Sequence, residues 1–171
     1  MEQPPVGYLR VETTTIYSPE AIALAQSAHS SSPPDPTVSL KDWMAPELLE
    51  AWKIIARDLE TPDAIIPLVL PNDWDEQESY ACAMVSWQDG SGAGISVPRH
   101  EPLPVRVVYL ADQFQESEVE ALWSAGRSAV WPHCPRHPNT HPLNARLHNG
   151  VAVWVCGEFD VIASIGELFP R

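Results

Sequence analysis

Residues 79–97 read SYACAMVSWQDGSGAGISV, and the fold turns on this stretch. Two runs rich in β-branched and aromatic side chains, residues 79–88 and 94–97, flank the glycine-rich DGSGAG at 89–94. Strand-forming runs on either side of a flexible turn specify an antiparallel hairpin. Strict alternation puts Ala81, Ala83, Val85 and Trp87 on one face and Tyr80, Cys82, Met84 and Ser86 on the other. Cys82 therefore reads as a small packed thiol, not a nucleophile. Gly90, Gly92 and Gly94 imitate a phosphate loop, but a strand follows them where an anion site needs a helix N-terminus.

Further short β-prone runs lie outward on both sides, IIPLVL at 65–70 and PVRVVYL at 104–110, and extend the hairpin into a meandering antiparallel sheet. Upstream, PELLEAWKIIARDLE (46–60) is the clearest helix, with Leu48, Trp52, Ile55 and Leu59 on one stripe and Pro62 as its stop. Residues 112–125 read as a second helix, with Asp112/Gln115 or Ser117/Glu120 as capping box and Gly126 as terminator. Nearer the start, residues 6–16 read as a strand and Ser18-Pro19 opens a helix to about His29. SSSPPDPT then makes residues 30–38 a mobile linker.

Asn149-Gly150 is a strong two-residue hairpin signal, because both central residues of a type I′ turn need positive φ. It predicts a strand at 143–148, its partner VAVWVC at 151–156, a turn at 157–160 and a last run at 161–168. The class is α+β: mainly antiparallel sheet with about three helices, plus a small C-terminal β-hairpin module. The division is a body over 1–126 with a module over 127–171 packed on it.

Composition bounds the function. The 171 residues are 44% hydrophobic with seven tryptophans, enough for a sizeable core, and 18 prolines against eight glycines favour short elements joined by stiff loops. The net charge of −13 disfavours nucleic acid and anionic membranes as partners and suits a basic protein. The charge is uneven: residues 42–78 carry ten acids and two bases, whereas residues 121–157 hold no acid and three arginines, Arg127, Arg136 and Arg146. No leader-like or membrane-spanning stretch is read from the chain, and three cysteines fit a reducing cytoplasm. In the acidic loop, Asp73, Asp75, Glu76 and Glu78 surround Trp74, an aromatic anchor ringed by carboxylates that would receive a basic partner. The competing reading is a solvated loop whose tryptophan folds back onto the sheet.

The chemistry concentrates in WPHCPRHPNTHPLNARLHNGVAVWVC, residues 131–156. Cys134 and His137 stand in C-x-x-H spacing, which suits two ligands of one tetrahedral ion, with Pro135 tightening the turn between them. Cys156 ends a strand that can fold back as third ligand. His141 or His148 is the fourth; His141 is preferred, because His148 sits at the far end of the hairpin from Cys156. The expected cofactor is structural Zn²⁺ on Cys134, His137, His141 and Cys156. Two other readings stand beside it: a proline-rich loop with ordinary histidines, and a Cys134–Cys156 bridge with Cys82 left over.

Four segments resemble the C-terminal part of small actinobacterial proteins of uncharacterised activity: EALW (Glu120–Trp123), WPHCPRHPNTHPL (Trp131–Leu143), AVWVC (Ala152–Cys156) and IGEL (Ile165–Leu168). The resemblance spans a little over a third of the chain and brings no activity with it. The Trp-Pro-x-Cys-Pro core also resembles half of a zinc ribbon, although a ribbon would place cysteine pairs at both knuckles.

No catalytic residue is read from the sequence. The favoured function is a non-catalytic acidic interaction protein, inhibitor- or immunity-like, with the zinc as a fastener. The alternative is a metal-dependent hydrolase in which Cys134, His137 and His141 hold an activated water. It needs a base such as Glu158 or Asp160, since residues 121–157 supply none.

Overall fold

A computed structural model describes residues 39–72, 78–138 and 140–168. The expected strand at 6–16, the helix at 18–29, the linker at 30–38 and residues 73–77 of the acidic loop lie outside the described residues.

Among the described residues, six strands form two antiparallel three-stranded sheets. The first holds β1 (Leu68–Leu70), β2 (Tyr80–Ser86) and β3 (Gly92–Pro98), with β2 central. Val69 pairs with Val85, and Ala83 with Ile95. The alternation expected for β2 is present: Ala81, Ala83 and Val85 are buried, while Tyr80, Cys82 and Met84 are only partly covered. The connecting turn closes earlier than the glycine run suggested. Trp87 N–H donates to the Ser91 carbonyl at 2.9 Å and Gly90 N–H to that of Trp87 at 3.0 Å, and Gly92 and Gly94 already belong to β3.

Among the described residues three helices accompany the sheets: α1 (Leu40–Trp43), α2 (Pro46–Leu59) and α3 (Leu103–Ser124). The short α1 was not expected. Its start is a reciprocal Ser39/Asp42 capping box, and Leu40 goes into the core. In α2 the predicted stripe Leu48, Trp52, Ile55 and Leu59 is buried, and Trp52 meets Phe114 of α3 at 5.3 Å between ring centroids.

The strand expected at 104–110 is the first third of α3, which runs unbroken for 22 residues. Val105, Val107 and Val108 have high β propensity, but each costs only a few tenths of a kcal/mol in a helix. Against that, Val107, Leu110, Ala111, Phe114, Glu118, Ala121 and Leu122 form one buried helical stripe, and no turn-forming residue interrupts it. The expected caps therefore fall inside the helix, where the Ser117 hydroxyl donates to the Gln113 carbonyl one turn back, at 3.0 Å. The predicted stop holds. Gly126 takes φ +68°, Arg127 N–H reaches the Leu122 carbonyl at 2.8 Å, and Gly126 N–H reaches that of Trp123, a Schellman ending.

The second sheet is β4 (Asn144–His148), β5 (Val151–Cys156) and β6 (Asp160–Ser164), with β5 central. Asn149 and Gly150 have φ of +50° and +78°, as the turn signal required. β6 stops at Ser164 because the chain turns at Gly166, φ +89°, to meet α2. There, Asp58 of α2 accepts from Gly166 N–H at 2.7 Å, Leu168 N–H at 3.1 Å and Trp154 Nε1 at 2.7 Å. A Cβ at Gly166 would stand 2.9 Å from both Cγ2 and the carbonyl oxygen of Ile54, so only glycine permits this approach.

Helix α3 touches β3 of the first sheet and both β4 and β5 of the second, and one contiguous core includes residues of both sheets. A buried carboxylate, Glu118, ties α3 to the first sheet by accepting from Ile65 N–H and from Trp87 Nε1. Burial pushes Glu118 up to about 7, against these two hydrogen bonds and the charge of Arg127. Among the described residues no helix is long and apolar enough to cross a membrane.

Candidate metal centre

The loop from Trp131 to Leu143 has almost no regular structure, so its shape is set by a few anchors. Trp131 is buried edge-on against Trp154 of β5, with ring centroids 5.8 Å apart, and a cis peptide joins it to Pro132. Leu143 N–H donates to the Pro132 carbonyl at 2.9 Å, and His133 bridges to Pro142, which closes the loop on itself. Gln115 of α3 then pins both ends: its Nε2 donates to the Trp131 carbonyl at 3.2 Å and to that of Leu143.

Within the loop, Cys134-Pro135-Arg136-His137 forms a β-turn, with His137 N–H on the Cys134 carbonyl at 3.1 Å. Proline at the second position pre-sets φ for such a turn. A second turn, Thr140 N–H to the His137 carbonyl at 3.2 Å, brings His141 back over His137. Their rings lie 5.2 Å apart. Cys156 reaches the same place from the end of β5, on the face it shares with Ala152 and Trp154.

The result is one cluster of Cys134, His137, His141 and Cys156, whose ligand atoms all lie within 4.8 Å of one another. Nδ1 of His137 stands 3.5 Å from the Cys134 sulfur, 3.3 Å from the Cys156 sulfur and 3.2 Å from Nε2 of His141. The Cys156 sulfur is 3.8 Å from Nε2 of His141. With zinc bonds of about 2.3 Å to sulfur and about 2.0–2.1 Å to nitrogen, tetrahedral edges are about 3.5 Å for a sulfur–nitrogen pair and about 3.3 Å for a nitrogen pair. The four distances fall within a few tenths of an ångström of those edges. The cluster could hold a metal.

The surroundings prepare the ligands. Nδ1 of His141 lies 2.8 Å from the Pro142 carbonyl. A carbonyl only accepts, so Nδ1 carries the proton and Nε2 presents its lone pair to the cluster. Partial burial, the neighbouring Cys134 sulfur and the Asp160 carboxylate push the Cys156 thiol up from its ordinary range, while Arg136 opposes them. A dication among these sulfurs reverses that balance and favours thiolate. Arg136, inside the first knuckle, also pairs with Asp160 at the start of β6, which ties the knuckle to the hairpin.

The geometry thus gathers the four residues expected as ligands. His133 lies in the loop's own bridge and His148 is exposed at the hairpin turn, its Nε2 3.1 Å from Asn149 Nδ2; neither joins the cluster. All three cysteines are free, so the Cys134–Cys156 bridge is not formed here. Of the expected partner-binding residues, Asp73, Trp74, Asp75 and Glu76 lie outside the described residues, and Glu78 is exposed in the turn before β2.

Sequence reasoning missed Gln115 and Asp58. Gln115 is expected only as a cap residue, and Asp58 enters only as one of the ten acids of residues 42–78. The available signal for Asp58 was its place beside Leu59 on the apolar side of α2, where Ile55 and Leu59 are buried with it. A concavity of about 480 Å³ lies on the second sheet, lined by Arg146, Leu147, His148, Val155, Glu158 and Phe159, and it includes none of the four cluster residues.

Comparison with protein-family models, with curated proteins and with solved structures finds no match.

Proposed function

We propose that this chain is a non-catalytic, acidic interaction protein whose C-terminal sheet is fastened by a structural zinc ion on Cys134, His137, His141 and Cys156. One observation carries the zinc reading: four ligand atoms of the right elements gather within 4.8 Å of one another, four of their six separations are close to tetrahedral edge lengths, and all four belong to the chain. Four protein ligands leave no position for a reactive water. A hydrolytic site would need such a position and a free base as well. Asp160, the carboxylate acting on Cys156, is instead engaged by Arg136.

The partner we infer is a basic protein. Its warrant is the net charge of −13, which steers a cationic surface and repels phosphate backbones. Inhibitor- and immunity-like proteins work in this way. The four segments shared in resemblance with small actinobacterial proteins include both knuckles, which fits the metal as a common structural element. A reducing compartment such as the cytoplasm suits a centre built on two free thiols.

Elemental analysis of protein purified without chelator tests the fastener. One zinc per chain is expected, and Cys156→Ser should lose it. X-ray absorption at the zinc edge should show two sulfur and two nitrogen neighbours. Protein devoid of metal, or a first shell containing a solvent oxygen, would remove the closed-site reading.

A further inference from the structure

We propose that Cys156 is a peroxide-oxidation site and that Cys134 resolves it, so that a peroxide replaces the metal fastener with a Cys134–Cys156 disulfide. The inference rests on the zinc reading above and goes beyond it in assigning the two sulfurs different chemical roles.

The assignment comes from burial and placement. Both sulfurs are free and belong to a cluster in which no two ligand atoms are more than 4.8 Å apart. Cys134 is 0% exposed, whereas Cys156 is only partly covered, at the end of β5 beside the turn at Gly157. An oxidant arriving from solvent therefore meets Cys156 first. Cys82 sits on β2 in the other sheet and takes no part in the cluster.

The step balances. The Cys156 thiolate attacks one oxygen of hydrogen peroxide, the O–O bond breaks, and the departing hydroxide takes a proton from solvent to leave as water. Cys156 is now a sulfenic acid. The Cys134 thiolate attacks that sulfur, an S–S bond forms, and the displaced hydroxide leaves as a second water after protonation. Two thiolates have lost one electron each, and peroxide has taken both.

Bond formation brings the sulfurs to about 2.05 Å. Cys134 can make that movement because it stands in a turn, outside any strand, where the knuckle is held by the turn hydrogen bond and the Arg136–Asp160 pair. Zinc then loses both sulfur ligands and keeps only two imidazoles, too few for a structural site. The loop stays closed because the covalent bond spans the gap the metal had bridged.

The test uses the full chain as purified, titrated with hydrogen peroxide while a chromophoric chelator reports free zinc and peptide mass mapping reports the thiols. Complete zinc release is expected, one ion per disulfide, with a linked Cys134–Cys156 peptide, an unmodified Cys82, and recovery on adding a thiol reductant and zinc. Brief exposure in the presence of dimedone should label Cys156 and leave Cys134 unlabelled. This measurement decides the roles on the wild-type chain even if Cys156→Ser does not fold.

A label on Cys134, a sulfinic acid at Cys156 without linkage, or zinc retained under excess peroxide would each overturn the proposal. If the purified protein carries no zinc, the fastener reading fails on that count alone. The same map on the metal-free chain then decides the thiol pair: a linked peptide preserves the oxidation site, and its absence removes it.

Discussion

Replacing Asp58 with alanine should be among the most damaging single changes in the second half of this fold. The carboxylate is 1% exposed and accepts three hydrogen bonds, from Trp154 Nε1 and Gly166 N–H on Oδ2 and from Leu168 N–H on Oδ1. Removing it leaves three donors without a partner, two of them backbone. Each orphaned buried donor costs about 1–3 kcal/mol. Part of that is offset, because burial pushes the Asp58 carboxyl up and alanine no longer has a charge to desolvate. A net loss of about 3–5 kcal/mol follows, a large share of the roughly 5–15 kcal/mol that holds a domain together. Asp58→Asn makes the reasoning sharper. Its amide oxygen can take the Oδ2 position and satisfy Trp154 and Gly166, while its NH₂ faces Leu168 N–H, so the loss should be nearer 1–2 kcal/mol. Urea denaturation at constant zinc, followed by tryptophan fluorescence, measures both variants against wild type. An alanine variant within about 1 kcal/mol of wild type, or an asparagine variant equal to the alanine one, would refute the three-donor account.

Other expectations come from the same structure. Glu118 is protonated in the fold up to about 7, against its ordinary 4.5, so both states bind its proton at low pH and only the unfolded chain releases it in between. Its contribution to stability is therefore lost as pH rises from about 4.5 to about 7, by up to roughly 3 kcal/mol, and stays lost above that. The stability difference between wild type and Glu118→Gln, measured from pH 5 to pH 8, should show that loss; a difference independent of pH would contradict it. Gly166→Ala meets both a φ of +89° and a contact at 2.9 Å with the Ile54 backbone; a loss of about 2–3 kcal/mol in urea midpoint analysis is expected. Gln115→Ala frees both ends of the ligand loop, and competition with a chelator should show zinc affinity lowered about tenfold with the ligands intact.

How far the sequence was legible depended on whether the deciding interaction was local. The Asn149-Gly150 turn, the Pro46 start of α2 and the Cys134-Pro135-Arg136-His137 knuckle are set by neighbours within four residues, and they were readable. So was the membership of the Cys/His cluster, because a hairpin joining β4 to β5 moves His148 away from Cys156 and leaves His141 as the histidine that can return. The misreading of residues 104–110 has the opposite cause. Val105, Val107 and Val108 favour strand taken alone, and only the stripe continuing through Phe114 and Leu122 makes them the opening of a helix. Glu118 and Asp58 were much harder to read. The place of Asp58 beside Leu59 hints at burial, but the partners of both carboxylates, Ile65, Trp87, Trp154 and Gly166 among them, are tens of residues away, and no local pattern marks those donors.

The same contrast shows what a metal on the proposed site would do for this fold. α3 lies across both sheets, and the helix pair and first sheet are held by a continuous apolar stripe. The Trp131–Leu143 loop has no such stripe. Its described side chains contribute Trp131, Cys134 and Leu143 to the core, while Pro135, Arg136, His137, Pro138 and Thr140 are exposed and held by turn contacts and the Arg136–Asp160 pair. Ordering backbone of this kind costs on the order of 1 kcal/mol per residue. Hydrophobic burial cannot supply that where the side chains point to solvent. Structural zinc contributes about 10–16 kcal/mol in small metal-dependent folds, the same order as the ordering cost of a loop this long. The charge distribution fits as well. Residues 121–157 contain no carboxylate in a chain of net charge −13, so nothing within that segment competes with the two thiols for the ion. Asp160, whose carboxylate acts on Cys156 across the turn, is held by Arg136. Asp160→Asn should therefore leave zinc stoichiometry at one per chain while freeing Arg136 and loosening the knuckle, read as faster zinc loss to a chelator. Loss of the metal altogether in that variant would mean that the carboxylate is itself a ligand, and that the four-residue assignment is wrong.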